Sequence, residues 1–393
     1  MKRIWLILFL AILSAQSLRP GDLPTADAQA PSPRKTFTVV GRPRMFAAAP
    51  AVDEFIFQER RGPSVFDRVG LHRITLEPVP AARPAMVMLY LPGTNMNGEV
   101  AIADPRFSLP LYLASHGVDF WALDYRTHFV PASTPADHLA ALQSWTNEMF
   151  EADVSAAARF VMAKTKHNRI FLAGFSRGAL LAYLYAAAHP EYVKGLVILD
   201  GYINHGRRGS PPPGSYAEDV SGKHLTWIKR QELMRLVIDD PNAPAPLPQF
   251  KSAADNLSHV VYDSAGFGGK GGLANPVAGL ADPRVLARVL IRYDRYWPNV
   301  QDYEDSFTPV MAASLGSSRI PVLAFSSTNI SPNWPQQVAK SAASTGSHDV
   351  TVNNLHNWGH LDVICGTRAE HQVFAPLVIW LKRHSQAASE SDE

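Results

Sequence analysis

The sequence predicts an α/β fold: a mostly parallel sheet with helices on both faces. Three observations predict it. Short apolar runs recur, several of them stopped by a Gly, Pro or Asp turn signal; helical stretches fill the intervals between them; and the alternation resumes after a long interruption. Strands alternating with helices bury their apolar surfaces best in a parallel sheet covered on both sides. The chain is long enough for that, with 393 residues, 46% of them hydrophobic and 18% charged. Such a composition builds a large core and excludes a disordered chain or a coiled coil.

Taken in order, Asp53–Gln58 and Leu71–Val79 read as strands, and the run Ala85–Leu91 reads as a buried strand ended by Pro92-Gly93. A helical stretch near Phe107–Ser115, a strand Val118–Leu123 and a long helix from about Asp137 to Lys166 follow. Strand Ile170–Ala173 leads into helix Gly178–Ala188, and strand Gly195–Leu199 ends at Asp200. The style then changes. Residues 201–317 hold a Pro-rich piece, helical patches at Trp227–Ile238 and Pro283–Tyr296, and a Gly-rich loop, and they read as an insertion. Alternation returns with strand Val322–Ser326, helix Pro335–Ala343, strand Asp349–Asn353 and helix His371–His384. The expected organisation is a core at 36–200 and 318–386, an inserted block at 201–317, and a polar, disordered tail at 387–393.

The first thirty residues read as a signal peptide and linker. Lys2 and Arg3 precede an apolar run from Ile4 to Leu13 and then small residues, a pattern of export that is too short to span a bilayer. A secreted or periplasmic location is expected, with no stable membrane span. Basic and acidic residues number 37 and 35, a balance that offers no field for a phosphate backbone, so nucleic acid is not an expected partner. The single cysteine, Cys365, excludes an intrachain disulfide and reads as buried packing. No His/Asp/Glu cluster has metal-ligand spacing, so neither metal nor cofactor is implied. Gly266–Gly271 matches G-x-G-x-x-G, but no strand precedes it, and it reads as a mobile loop rather than a dinucleotide site.

The strongest signal is Gly174-Phe175-Ser176-Arg177-Gly178. It matches G-x-S-x-G with a strand before it and an Ala/Leu-rich helix after it, the setting that holds a serine Oγ out on a tight strand-to-helix turn. A serine alcohol is a weak nucleophile and needs a base, which needs an orienting group in turn. Of fourteen histidines His360 fits best, in Asn357-Trp358-Gly359-His360, just past the last strand and before the C-terminal helix. His356 is the competitor. Asp124-Tyr125-Arg126 reads as a structural turn near the pocket. Tyr293, Tyr296, Trp297, Tyr303 and Phe307 either line an apolar pocket or pack the inserted block.

With these motifs the chain resembles the α/β-hydrolases, in the manner of secreted lipases and esterases with a lid insertion, over about Asp53–Asp200 and Arg319–His384. The resemblance implies an oxyanion hole from two backbone N–H groups, by position those of Thr94 (Asn95 being the alternative) and Arg177. Many relatives carry His-Gly where this chain has Pro92-Gly93, which backbone donors tolerate. The acid departs further. Relatives place it after the strand corresponding to Val322–Ser326, where this chain reads Ser326-Ser327-Thr328-Asn329 without a carboxylate. Some lipases carry it after the preceding strand, where Asp200 stands. Asp200 is then either the acid or a cap for the inserted block, and Asn329 is the other group that could orient the imidazole. The resemblance implies a serine hydrolase cleaving a small-molecule or lipid carboxylic ester. The alternatives are an amide or peptide hydrolase, gripping an amine through Asp302, Glu304 or Asp305, and a non-catalytic binding protein on the same scaffold.

Overall fold

Strand order decides where the chemistry can sit. The computed structural model describes residues 36–47, 49–76, 84–102, 104, 107–207, 209–210, 216–218, 226–259 and 281–386. The signal segment, the Gly266–Gly271 motif and the tail at 387–393 lie outside them. The strands are β1 Thr38–Phe46, β2 Ala49–Arg60, β3 Arg68–Leu76, β4 Met86–Leu91, β5 Val118–Asp124, β6 Ile170–Phe175, β7 Val193–Leu199, β8 Tyr216–Glu218, β9 Tyr296–Pro298, β10 Val322–Ser327 and β11 Val350–Leu355. The helices are α1 Leu109–Ser115, α2 Asn147–Thr165, α3 Arg177–Ala188, α4 Trp227–Asp239, α5 Ala253–Ser258, α6 Pro283–Leu290, α7 Val300–Tyr303, α8 Pro309–Ser318, α9 Trp334–Ala343, α10 Asp362–Cys365 and α11 Ala375–Gln386.

Nine strands form one sheet in the order β1-β2-β3-β5-β4-β6-β7-β10-β11, and β8 pairs separately with β9. From β5 to β11 the pairing is parallel; β1, β2, β3 and β5 are antiparallel neighbours. The central strands explain themselves. MVMLYL of β4 and IFLAGF of β6 are buried along their whole length, as strands covered on both faces must be. Alternate residues feed two cores: Met88, Tyr90 and Phe171 on one face, Val87, Leu89 and Leu172 on the other.

The parallel strands end level with one another. Leu91 pairs with Gly174, Phe175 with Leu199, and Leu199 with Phe325. The next residues of β4, β6, β7 and β10 therefore leave the sheet side by side at its carboxyl edge, the place where open α/β sheets bind ligands.

Two differences from the sequence reading have physical causes. The strand expected at Asp53–Gln58 is the middle of β2, and β1 precedes it unforeseen; β1 is mostly exposed, so it lacks the apolar alternation that betrays a strand. The long helix expected from Asp137 is broken: a 3₁₀ stretch covers Ala136–Ser144, and α2 starts afresh with Thr146 as N-cap, its hydroxyl accepting from the Met149 N–H at 3.3 Å. Within the block 201–317, α8 packs against α3, with Ser314 Oγ donating to the Ala187 carbonyl at 2.6 Å. Among the described residues no helix is long and apolar enough to cross a membrane.

The elbow tolerates no side chain at its second glycine. A Cβ on Gly178 would overlap the Leu91 carbonyl oxygen and lie 2.6 Å from that of Pro92, both backbone atoms that cannot step aside. Gly316 on α8 has only the Ser344 carbonyl in reach, 3.7 Å away. Gly178→Ala should therefore lose about 2–3 kcal/mol or more of stability, whereas Gly316→Ala should gain about 0.5–1 kcal/mol from its helix preference. Urea unfolding midpoints at constant slope separate the two.

Candidate functional site

Ser176 sits where β6 turns into α3, with φ 54° and ψ −119°. The turn survives because both flanking glycines lie against backbone: a Cβ on Gly174 would run into the Gly178 carbonyl. The Ser176 N–H donates to the Leu199 carbonyl at 3.1 Å, which fixes the serine beside the end of β7. Arg177 opens α3, so its N–H has no partner within the helix, and the helix N-terminus places positive potential beside the serine.

Asp200 leaves β7 at φ 52°, fully buried. Its carboxylate accepts four hydrogen bonds. Oδ1 takes the Ser327 N–H at 2.6 Å and Trp334 Nε1–H at 2.9 Å; Oδ2 takes the Ser327 hydroxyl at 2.7 Å and faces His360 Nδ1 at 2.6 Å. Four donors converging on two oxygens suit an acceptor-only carboxylate, and they assign the Nδ1–H tautomer of His360, which leaves Nε2 its lone pair. The imidazole is 3% exposed and stacks on Phe175, ring centres 4.6 Å apart, one residue before the serine. Ser176, Asp200 and His360 thus gather at one edge. His356 is exposed on the same loop.

The side chain that faces His360 Nδ1 is therefore Asp200, while Asn329 meets the histidine loop through its backbone. The Asn329 N–H donates to the Trp358 carbonyl at 3.1 Å, and neighbouring Thr328 Oγ1 accepts the Asn357 N–H at 3.0 Å. The segment after β10 holds the histidine loop by its backbone while Ser327 holds the acid. Asp362 completes the loop, accepting the Gly359 N–H at 2.7 Å. Sequence reasoning missed Ser327, Trp334 and Asp362. Only Asp362, two residues past the histidine, carried a local signal.

The loop after β4 approaches the serine closely: a Cβ on Gly93 would lie 3.0 Å from Ser176 Cβ. Thr94 lines the same pocket as Ser176, and Asn95 adopts φ 59°. The loop is pinned from several sides. Tyr125 donates to the Pro92 carbonyl at 2.9 Å, Asn95 exchanges backbone and side-chain bonds with Asp294, and the Gly98 N–H donates to Asp124 Oδ1 at 2.7 Å. The turn Asp124-Tyr125-Arg126 is thus structural and adjoins the pocket, as its sequence suggested.

Behind that loop lies a buried charge chain. His72 Nδ1 faces Glu54 at 2.6 Å and its Nε2 faces Asp124 at 2.8 Å; His128 faces Asp294 at 3.0 Å. Burial alone would lower the pKa of His72, but Asp124 and Glu54 outweigh it and raise it to about 10. His128 reaches about 10 in the same way, against burial, through Asp124, Asp294 and Glu99. Burial works against the Asp124 carboxylate too, yet His72 and His128 hold it well below the usual carboxylate range.

The pocket at Ser176 measures about 130 Å³ and is lined by Thr94, Arg177, Leu180, Tyr202, Asp302 and Trp334 among others. Tyr293, Tyr296, Trp297 and Phe307 are buried and do not line it; Trp297 packs edge-on against Tyr125 and Phe150. Cys365 is buried, as expected. Among the described residues no group of His, Cys, Asp and Glu is arranged to hold a metal ion.

A family model for the alpha/beta hydrolase fold matches residues 87–230, a stretch that holds Ser176 and Asp200 and stops short of His360. No curated protein matches the chain. Among solved structures, a provisionally assigned lipase of Sulfolobus solfataricus is 24% identical with a TM-score of 0.71, over 88% of this chain and 99% of its own. A monoacylglycerol lipase of Paleococcus ferrophilus is 14% identical with a TM-score of 0.43, over 76% and 94%. A proline iminopeptidase of Mycobacterium smegmatis is 13% identical with a TM-score of 0.43, over 90% and 100%. The chain has the α/β-hydrolase fold.

The charge chain sets an alkaline limit. Both histidines have pKa values raised above the unfolded value of about 6.5, so the stability they contribute is complete below that pH and is lost as pH climbs through about 10. The urea midpoint should fall steadily between pH 7 and 10.5. In His72→Gln, less stable at neutral pH, the same decline should be shallower, because one of the two titrating groups is gone.

Proposed function

We propose that this chain is an exported serine hydrolase that cleaves carboxylic esters. The observation that carries the reading is the 2.6 Å contact between Asp200 Oδ2 and His360 Nδ1, beside a serine on a strained strand-to-helix turn. In this reading His360 Nε2 takes the Ser176 proton as Oγ attacks the ester carbonyl. Asp200 holds the imidazole and stabilises the imidazolium, and the Thr94 and Arg177 N–H groups receive the oxyanion. The imidazolium then protonates the departing alcohol. Water attacks the acyl-enzyme by the same route in reverse and frees the acid. Export rests on the basic and apolar pattern at residues 2–13.

The amide-hydrolase alternative needs a carboxylate available to grip an amine. Asp302 has its charge neutralised by Arg177, Glu304 accepts the Asn147 N–H at 2.7 Å, and Asp305 faces His205 at 2.8 Å. That occupancy favours the ester reading. A binding protein on the same scaffold would have no use for a serine held in a strained turn beside a paired imidazole.

A fluorophosphonate probe should label the wild-type chain and spare Ser176→Ala; absence of serine-dependent labelling would remove the hydrolase reading. Asp200→Asn should lower kcat roughly 10⁴-fold. Its amide N–H₂ has no acceptor at the Oδ1 position, and at Oδ2 it would turn His360 into the wrong tautomer. Circular dichroism must show the variant folded, because an amide among four donors also destabilises. His360→Ala should be inactive, and His356→Ala close to wild type.

A further inference from the structure

We infer that Arg177 and Asp302 form a carboxylate-recognition subsite beside Ser176, so that the ester taken here is short and carries a carboxylate of its own. The reaction rests on the hydrolase reading above; the ligand class rests on the pocket. At about 130 Å³ the pocket is close to the roughly 150 Å³ cavity that takes one benzene-sized molecule. A small acyl group is enough to fill it. An ion pair, Arg177 with Asp302, stands among its lining residues, where a pocket for alkyl chains would be apolar throughout.

The pair is unequal. The Arg177 side chain is 5% exposed, and its burial lowers the pKa of the guanidinium even with Asp302 alongside. Asp302, on the four-residue helix α7, is 34% exposed and touches the guanidinium by a single bond, Nη2 to Oδ1 at 2.6 Å. A guanidinium has five donors and binds a carboxylate best through two parallel bonds. Asp302 can turn to water; Arg177 cannot. A substrate carboxylate can therefore take the bidentate position, giving the buried cation a better partner than the one it has. An alkyl ester would press an apolar group against a buried cation and recover nothing for the water it displaces. An ammonium ester would meet a carboxylate already neutralised by Arg177.

Four esters test this: monomethyl glutarate with the carboxylate on the acyl side, acetylglycolate with it on the alcohol side, methyl butyrate as the neutral reference, and glycine methyl ester as the cation. Wild type should favour one of the two carboxylate esters over methyl butyrate by about tenfold or more in kcat/KM, the range of a charge-assisted hydrogen bond. Which of the two wins fixes the side on which the carboxylate sits. Arg177→Met should abolish the ratio, Arg177→Lys keep part of it, and Asp302→Asn increase it. Calorimetry on Ser176→Ala should show binding of monomethyl glutarate or acetylglycolate that disappears in Ser176→Ala/Arg177→Met. Preference for methyl butyrate or glycine methyl ester, or a ratio untouched by Arg177→Met, overturns the subsite while leaving the hydrolase reading intact. Arg177-dependent binding without any ester turnover overturns the hydrolase reading and leaves the subsite.

Discussion

The Asp200 carboxylate is the constraint on which the site depends. Fully buried, it is satisfied by donors from three segments: the end of β10 through Ser327, the start of α9 through Trp334, and the loop after β11 through His360. A buried charge left partly unpaired costs several kcal/mol, so each segment is held to its place by the need of one side chain. Asp200 holds its left-handed backbone with its N–H donated to the Phe325 carbonyl at 2.9 Å, and a glycine follows it. That glycine lies so close to Ser176 that a Cβ there would meet the serine's carbonyl oxygen and the Ala179 methyl. The positive-φ turns at Ser176 and Asp200 are thus packed against each other. Of the six non-glycine residues with positive φ among those described, four lie at this edge: Asn95, Ser176, Asp200 and Asn357.

The facing wall obeys a different rule. Its loop, Pro92 to Gly98, is held from beneath by buried charge as well as by Met96 in the apolar core. Glu54, His72 and Asp124 run as a hydrogen-bonded chain from the antiparallel flank of the sheet to the Gly98 N–H. Asp294, from the block after β7, reaches the same loop through Asn95 and Asn97. Charge-assisted bonds fix direction as well as distance, which an apolar contact does not supply and which the oxyanion role proposed for this loop would require.

Local features were legible in the sequence and distant ones were not. The elbow could be read because its glycines, serine and flanking strand and helix are contiguous. His360 could be read because a Gly-His turn follows the last strand. Asp200 was ambiguous, since nothing near it says what it touches; its partners lie 127 to 160 residues away. The donors Ser327 and Trp334 carry no signature beyond being a serine and a tryptophan. Ser327 falls in the segment where relatives place the acid, so a missing carboxylate there could have been read as a donor to one placed elsewhere. The exposed strand β1 and the interrupted α2 escaped because exposure erases periodicity and because Thr146 looks like any other threonine until its hydroxyl caps α2.

Placing the acid after β7 also changes the order in which the site can assemble. Ser176 and Asp200 then belong to one β-α-β unit, joined by α3 and β7, and their turn closes over a short stretch of chain. The histidine closes a loop of 160 residues to reach Asp200, a contact of high sequence separation that folding reaches slowly. Ser176 and Asp200 can be positioned well before His360 arrives. On the hydrolase reading proposed above, a chain caught before β11 and the histidine loop dock would hold a serine with no base to activate it, and nucleophilicity would be withheld from the immature protein until its fold is complete.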